Sequence, residues 1–408
     1  MFEVNRRKVI KEMKNNSLLI MFAGDAPYRS ADQRYKFTPN RNFYYLTGID
    51  KPNIVLTILK TENEAIEIIY VERENELMAK WIGKSISKSE ATEISKIENT
   101  KYLDELDSTI SSYIDRMGIE KIYFDLERQS IDIPSTRSQD MANIIRSKYP
   151  HIKIKNIYKT IAEARMIKSD EEVEIIKNAI NITKEGIVSM AKNIKPGMKE
   201  YQVEAYFDFE IKKLGASAHA FSTICASGKN ATVLHYEDNN QEAKDGDLIL
   251  FDLGAEYNYY CSDISRTIPV NSVFTDRQKQ IYNIVLNTIK EVEKHAKPGL
   301  TLKELNVVAK KSLAKGCIEI GLIEKEDEIN KYYFHSVSHS LGLDTHDVWI
   351  GAAKLKKGVV ITNEPGLYIE EEGIGIRLEN DLLITENGCV NLSKHIPIEI
   401  EEIEELMK

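Results

Sequence analysis

Histidine is scarce in this chain, with eight in 408 residues, so its clustering carries information. Three lie in Phe334-His-Ser-Val-Ser-His-Ser-Leu-Gly-Leu-Asp-Thr-His-Asp347, as His335, His339 and His346. A fourth, His235, lies in Thr232-Val-Leu-His-Tyr236. A solitary histidine is more often a satisfied structural residue, but three this close together point to chemistry. The H-x3-H spacing lacks the glutamate base of the helical zinc motif, because Ser336 stands where that base belongs.

Acidic residues supply the other half of the pattern. Asp252 sits in Leu248-Ile-Leu-Phe-Asp-Leu-Gly254. Alternation along a strand puts Leu248, Leu250 and Asp252 on one face and Ile249, Phe251 and Leu253 on the other. Both faces are apolar, so the strand is expected to be buried. A carboxylate there is costly unless it is paired or binds a metal. A turn aspartate before Gly254 is the plainer alternative. Asp263, in Cys261-Ser-Asp-Ile-Ser-Arg-Thr267, follows at D-x10-D, a spacing that lets a strand go out and return. Glu364 in Asn363-Glu-Pro-Gly366 and Glu379 in Gly375-Ile-Arg-Leu-Glu-Asn380 form a later pair. Arg377 and Glu379 are two apart and share a strand face, with an ion pair between them as the alternative. Glu370, Glu371 and Glu372, beside Gly373, are expected to form a solvated turn.

Four carboxylates and one imidazole favour hard or borderline divalent cations, Mn²⁺ ahead of Zn²⁺, with Co²⁺ and Fe²⁺ also possible ligand partners. Two cations about 3.5–4 Å apart can hold a hydroxide near neutral pH and polarise a carbonyl. No phosphate-binding glycine pattern points to a nucleotide, and no G-x-S-x-G elbow points to a serine nucleophile.

The elements that must position these groups show an internal repeat. Lys195-Pro-Gly-Met-Lys-Glu200 and Lys297-Pro-Gly-Leu-Thr-Leu-Lys-Glu304 each open a helical stretch. Lys244-Asp-Gly-Asp-Leu-Ile-Leu-Phe-Asp-Leu-Gly254 matches Lys356-Lys-Gly-Val-Val-Ile-Thr-Asn-Glu-Pro-Gly366, with Asp252 opposite Glu364. Two similar halves, each a helix pair leading into strands, imply a pseudo-symmetric α+β domain with a site between the halves. Ser169-Asp-Glu-Glu172 is a capping-box pattern that opens it. The boundary is placed near residue 160, giving segments 1–160 and 161–408. The first segment is α/β in character, with strands expected over 17–23, 53–60, 65–71 and 121–125 and helices over 88–97 and 104–117. Its aromatic stretch from Tyr35 to Gly48 is expected to be a core strand behind a structured loop.

Composition bounds the setting. Acidic residues outnumber basic ones, 64 to 55, which argues against a nucleic-acid partner. Cys225, Cys261, Cys317 and Cys389 are far apart, without CxxC, and suit a reducing cytoplasm. Residues 1–16 lack an apolar signal core, and no apolar run reaches the length of a membrane span.

In order and context, Asp252, Asp263, His339, Glu364 and Glu379 resemble the five ligands of the pita-bread metallopeptidases. Within that fold the chain is most similar to the Xaa-Pro aminopeptidases (aminopeptidase P). The similarity includes Asp-Leu-Gly-Ala, Ser-Asp-Ile-Ser-Arg-Thr, Glu-Pro-Gly-Leu-Tyr-Ile and Gly-Ile-Arg-Leu-Glu-Asn-Asp, and spans nearly the whole chain. Asn40-Arg-Asn-Phe-Tyr-Tyr-Leu-Thr-Gly48 looks like that family's creatinase-like first domain. The resemblance implies a dinuclear centre bridged by Asp263 and Glu379, with Asp252 on one cation and His339 and Glu364 on the other. It also implies that Glu364 handles the proton of the attacking water. His235 and His346 are implied as substrate-side catalytic histidines, His335 as a pocket histidine, and Tyr368 and Arg377 as supporting residues. The substrates implied are peptides with an Xaa-Pro N-terminus, and the assembly a homodimer or homotetramer. A prolidase, cleaving Xaa-Pro dipeptides alone, is the nearest alternative, and a non-catalytic binding relative is the alternative of a different class. Ser336, where many relatives have glycine, and the short stretch between Tyr368 and Arg377 bear on substrate length.

Overall fold

The apolar runs of the N-terminal part pair into one six-stranded mixed sheet. A computed structural model describes all 408 residues, and the chain divides into two compact units, Met1–Arg165 and Met166–Lys408. The sheet of the first unit has the spatial order Thr100–Tyr102, Ala65–Val71, Val55–Lys60, Ser17–Phe22, Lys121–Phe124, Lys153–Asn156. Ser17–Phe22 is central, antiparallel to Val55–Lys60 and parallel to Lys121–Phe124. It is buried on both faces over most of its length, which is why its sequence is apolar rather than alternating. Helices Leu106–Met117 and Arg137–Lys148 add Ile110, Ile114, Ala142 and Ile145 to a core with Leu18, Ile20 and Phe124. Each such large side chain contributes about 1.5–3 kcal/mol by leaving water.

Residues 41–47 do not form the expected strand. They form a buried helix, Arg41–Thr47, whose Asn40 side chain accepts from Phe43 N and whose end is set by Gly48 at φ +71°. Asparagine before the helix and a left-handed glycine after it are capping signals, and they override the strand preference of Phe43, Tyr44 and Tyr45.

The second unit begins as the capping box requires. Ser169 Oγ accepts from Glu172 N and Glu172 Oε2 accepts from Ser169 N, at the head of helix Asp170–Asn193. Two helix pairs follow, Asp170–Asn193 with Glu200–Lys213 and Asp276–His295 with Leu302–Glu319. Each leads into a three-stranded antiparallel sheet, with strand order Ile224–Ser227, Leu248–Leu253, Ile264–Pro269 in one half and Val360–Asn363, Asn380–Ile384, Cys389–Asn391 in the other. The duplication holds in detail. Gly197 N donates to Ala243 O at 2.8 Å, and Gly299 N donates to Leu355 O at 2.9 Å. The paired glycines share left-handed backbone, φ +91° and +93° for Gly197 and Gly299, +83° and +86° for Gly246 and Gly358. The fold is thus an α/β domain followed by a pseudo-symmetric α+β domain. No helix is long and apolar enough to cross a membrane.

Candidate metal centre

Ile224, Asp252 and Ser265 lie in register across the first sheet. Leu253 pairs with Ile264, so Asp252 and Asp263 flank that rung and the D-x10-D hairpin forms as its spacing predicts. The return is tight: a Cβ on Gly254 would lie 1.9 Å from Ser262 O, so the position takes glycine. In the other half, the histidine segment lies against strand Val360–Asn363. Thr362 N donates to His339 O, His339 N donates to Thr362 Oγ1, and Glu364 N donates to Val337 O. Glu379 N donates to Ser265 O at 3.0 Å, which ties the second half to the first. Buried Arg266 stands behind this seam and donates to Glu379 O and Asn380 Oδ1.

These connections bring the predicted residues to one cavity of about 480 Å³. Asp252, Asp263, His339, Glu364, Glu379, His235, His335, His346 and Arg377 all line it. Tyr368 stands just behind, buried, with its hydroxyl bonded to His335 Nε2 at 2.9 Å and accepting from Arg377 Nη1 at 3.0 Å. Donor atoms of Asp263, His339 and Glu379 lie within 4.8 Å of one another. His339 Nε2 is 3.3 Å from Asp263 Oδ2 and 3.4 Å from Glu364 Oε1. Asp252 approaches from the other side; its Oδ2 accepts from Arg377 Nη2, and its buried Oδ1 has no hydrogen-bond partner.

The electrostatics fit divalent cations. Burial, then the charges of Asp252, Asp381 and Glu364, push the Asp263 carboxyl well above its ordinary range. Burial and the Asp263 charge do the same to Glu379, and burial raises Glu364. Like charges packed this closely call for a compensating cation, and the carboxylate-plus-imidazole set is one that divalent metals accept. On the substrate side, burial and then Arg377 lower the His335 imidazole to about 4, and burial lowers His346. The His339 and His346 rings meet edge to face at 4.4 Å.

Three details depart from the sequence expectation or escape it. Arg377 pairs with Asp252 rather than with Glu379, because Glu379 lies past the end of strand Ile374–Arg377. Glu370, Glu371 and Glu372 form an exposed turn, but each carboxylate holds a basic partner, respectively Lys229, Lys331 and Arg277. Sequence spacing does not single out Ser265, yet its Oγ donates to Glu379 Oε2 at 2.7 Å and accepts from Arg377 Nε at 3.0 Å. The signal was present, since Asp263, Ser265 and Thr267 alternate onto one face of their segment.

A model of metallopeptidase family M24 matches residues 174–386, and a model of the aminopeptidase P N-terminal domain matches residues 2–123. The chain belongs to metallopeptidase family M24. Its relatives within M24 include an Xaa-Pro aminopeptidase of Escherichia coli strain K12, 31% identical over 100% of this chain and 97% of that protein. An Xaa-Pro dipeptidase of Pyrococcus furiosus is 36% identical over 73% of this chain and 85% of that protein. Among solved structures, a Bacillus anthracis protein taken to be an aminopeptidase P is 51% identical with a TM-score of 0.98, covering 100% of this chain and 97% of that one. Membership in M24 makes the chain a metal-dependent peptide hydrolase.

Proposed function

We propose that the chain is an exopeptidase that releases the N-terminal residue from peptides with proline in second position. Asp252, Asp263, His339, Glu364 and Glu379 would hold two divalent cations, Mn²⁺ first among them. Cations bound there supply Lewis acidity that polarises the scissile carbonyl and acidifies water. The convergence of donors from both repeat halves on one cavity carries this proposal.

The chain's own residues divide the remaining work. Glu364 takes the proton of the attacking water; its raised affinity for a proton suits a base. His346, held toward its neutral form by burial, and His235 sit across the cavity to hydrogen-bond the developing oxyanion. The scissile nitrogen must receive a proton to leave as an amine, and proline's, which has no N–H in the substrate amide, leaves as a secondary amine. Glu364 or an adjacent imidazole supplies that proton. His335, fixed by Tyr368 and by Ser336 O, presents a rigid polar wall to the substrate. A free N-terminal amine bound at the cation-holding end of the cavity would restrict cleavage to the first bond.

The aminopeptidase relationship extends over both units, while the dipeptidase relationship covers 73% of the chain, and this favours the longer substrate. Comparing Xaa-Pro-Yaa peptides with Xaa-Pro dipeptides tests it; hydrolysis confined to dipeptides makes the chain a prolidase. We place the enzyme in the cytoplasm, where its four free cysteines stay reduced. A homodimer or homotetramer completes the proposal. Exposed Leu77, Met78, Trp81 and Ile82 on helix Glu76–Ile82 offer apolar surface for a second copy, and light scattering of the purified chain measures the outcome.

A further inference from the structure

Glu200 opens helix Glu200–Lys213 and is fully buried, yet the five groups that hold it are all neutral. Oε1 accepts from Ser227 N (2.7 Å), Ser227 Oγ (2.7 Å) and Asn230 Nδ2 (3.0 Å). Oε2 accepts from Tyr236 Oη (2.8 Å) and Gln241 N (2.9 Å). An ionised carboxylate offers about four lone-pair sites and donates nothing, so it suits this ring of donors. Burial alone would raise its pKa, but these hydrogen bonds outweigh burial and hold it below the ordinary value.

The donors are not scattered. Ser227 and Asn230 precede His235, and Tyr236 and Gln241 follow it. His235 itself lines the cavity from an exposed turn, so the backbone around it sets its place. We infer that Glu200 is a positioning residue for His235, one buried carboxylate gripping both ends of segment 227–241. Asn239 adds a second grip within the segment, accepting from Cys225 N and donating to Thr223 O. The fold does not require an acid at this place. Gly197 and Gly299 are equivalent, and counting forward puts Leu302 of the second half opposite Glu200. The half that presents His235 carries the charge.

This inference rests on His235 acting on the substrate side, and the test separates the two ideas. In the full-length, metal-loaded enzyme, Glu200→Gln lowers kcat/KM about 10–100-fold, the range for residues that orient functional groups, with bound metal per chain unchanged. Hydrogen exchange accelerates across 227–241 and not across 248–253. In a His235→Ala background the same substitution changes kcat/KM by less than about threefold, since coupled sites are not additive. Tyr236→Phe removes one donor without stranding the carboxylate, repeats the pattern more weakly, and carries the test if Glu200→Gln does not fold. Losses that multiply in the double variant, or unchanged exchange across 227–241, overturn the inference while leaving the role of His235 intact. Near-normal turnover of His235→Ala alone refutes that role, and the inference with it.

Discussion

Arg377 and Asp252 form an ion pair across the two halves of the duplicated domain, Nη2 to Oδ2 at 2.5 Å, with both side chains nearly buried. The same guanidinium donates to Tyr368 Oη and Ser265 Oγ, and Ser265 donates on to Glu379. One planar cation therefore sets the orientation of two candidate ligands and, through Tyr368, of His335. A lysine has the charge but not the fork that reaches three acceptors. Arg377→Lys is expected to lower metal affinity or kcat by about 10–100-fold, as changes to groups supporting metal ligands do. Chelator competition reads the affinity.

Asp263→Ala removes a carboxylate with an oxygen within 4.8 Å of donor atoms of both His339 and Glu379. The loss of several kcal/mol of charge stabilisation is expected to lower turnover on the order of 10³-fold. Metal content by elemental analysis falls as well, while circular dichroism stays that of a folded chain. Retained turnover would remove Asp263 from the centre.

Metal removal has a thermodynamic readout. The buried acids Asp263 and Glu379 repel one another without a cation. Adding Mn²⁺ to chelator-treated protein at about 100 times its dissociation constant is expected to stabilise it by about 2.7 kcal/mol. A melting curve indifferent to Mn²⁺, Co²⁺, Zn²⁺ and Fe²⁺ alike would contradict the proposed centre.

Gly254→Ala tests the hairpin. The added methyl carbon would meet Ser262 O at 1.9 Å and Ala220 Cβ at 3.2 Å, which leaves little room to yield. A cost of about 1–3 kcal/mol or more is expected from overpacking, seen as a lower urea midpoint. Because Asp252 and Asp263 flank this turn, activity falls further than stability alone explains.

Stability should depend on pH through Glu200. Its carboxyl titrates below the ordinary 4.5 when folded, so its contribution is complete above 4.5 and fades as pH falls through the lower folded value. The penalty of Glu200→Gln, about 1–3 kcal/mol at pH 7 for stranded buried donors, is therefore expected to shrink in acid. Urea titrations of both proteins at pH 7 and below pH 4.5 measure it; a penalty independent of pH would show that the carboxylate is not the ionised partner.

Much of this arrangement is legible in the sequence for local reasons. Asp252 shows because a carboxylate in an apolar strand is anomalous, and Ser169 because a capping box is a short pattern. The repeat shows because Gly197 and Gly299, and again Gly246 and Gly358, keep residues that left-handed backbone demands. What escapes is long-range. Glu200 reads as an ordinary acid in a first helical turn until Tyr236 and Gln241 fold back to it. Arg377 reads as a partner for its neighbour Glu379 until Asp252 arrives from 125 residues away. Residues 41–47 mislead for a different reason: aromatic density reports burial, and only the caps at Asn40 and Gly48 report helix.

The hydrogen bond from Glu379 to Ser265 stitches together two segments more than a hundred residues apart. A nascent chain that has folded its first half offers Asp252 and Asp263 but neither His339 nor Glu364. On the proposed ligand set, such an intermediate lacks half of its centre, and hydrolytic activity is expected only once the last strands lock into place.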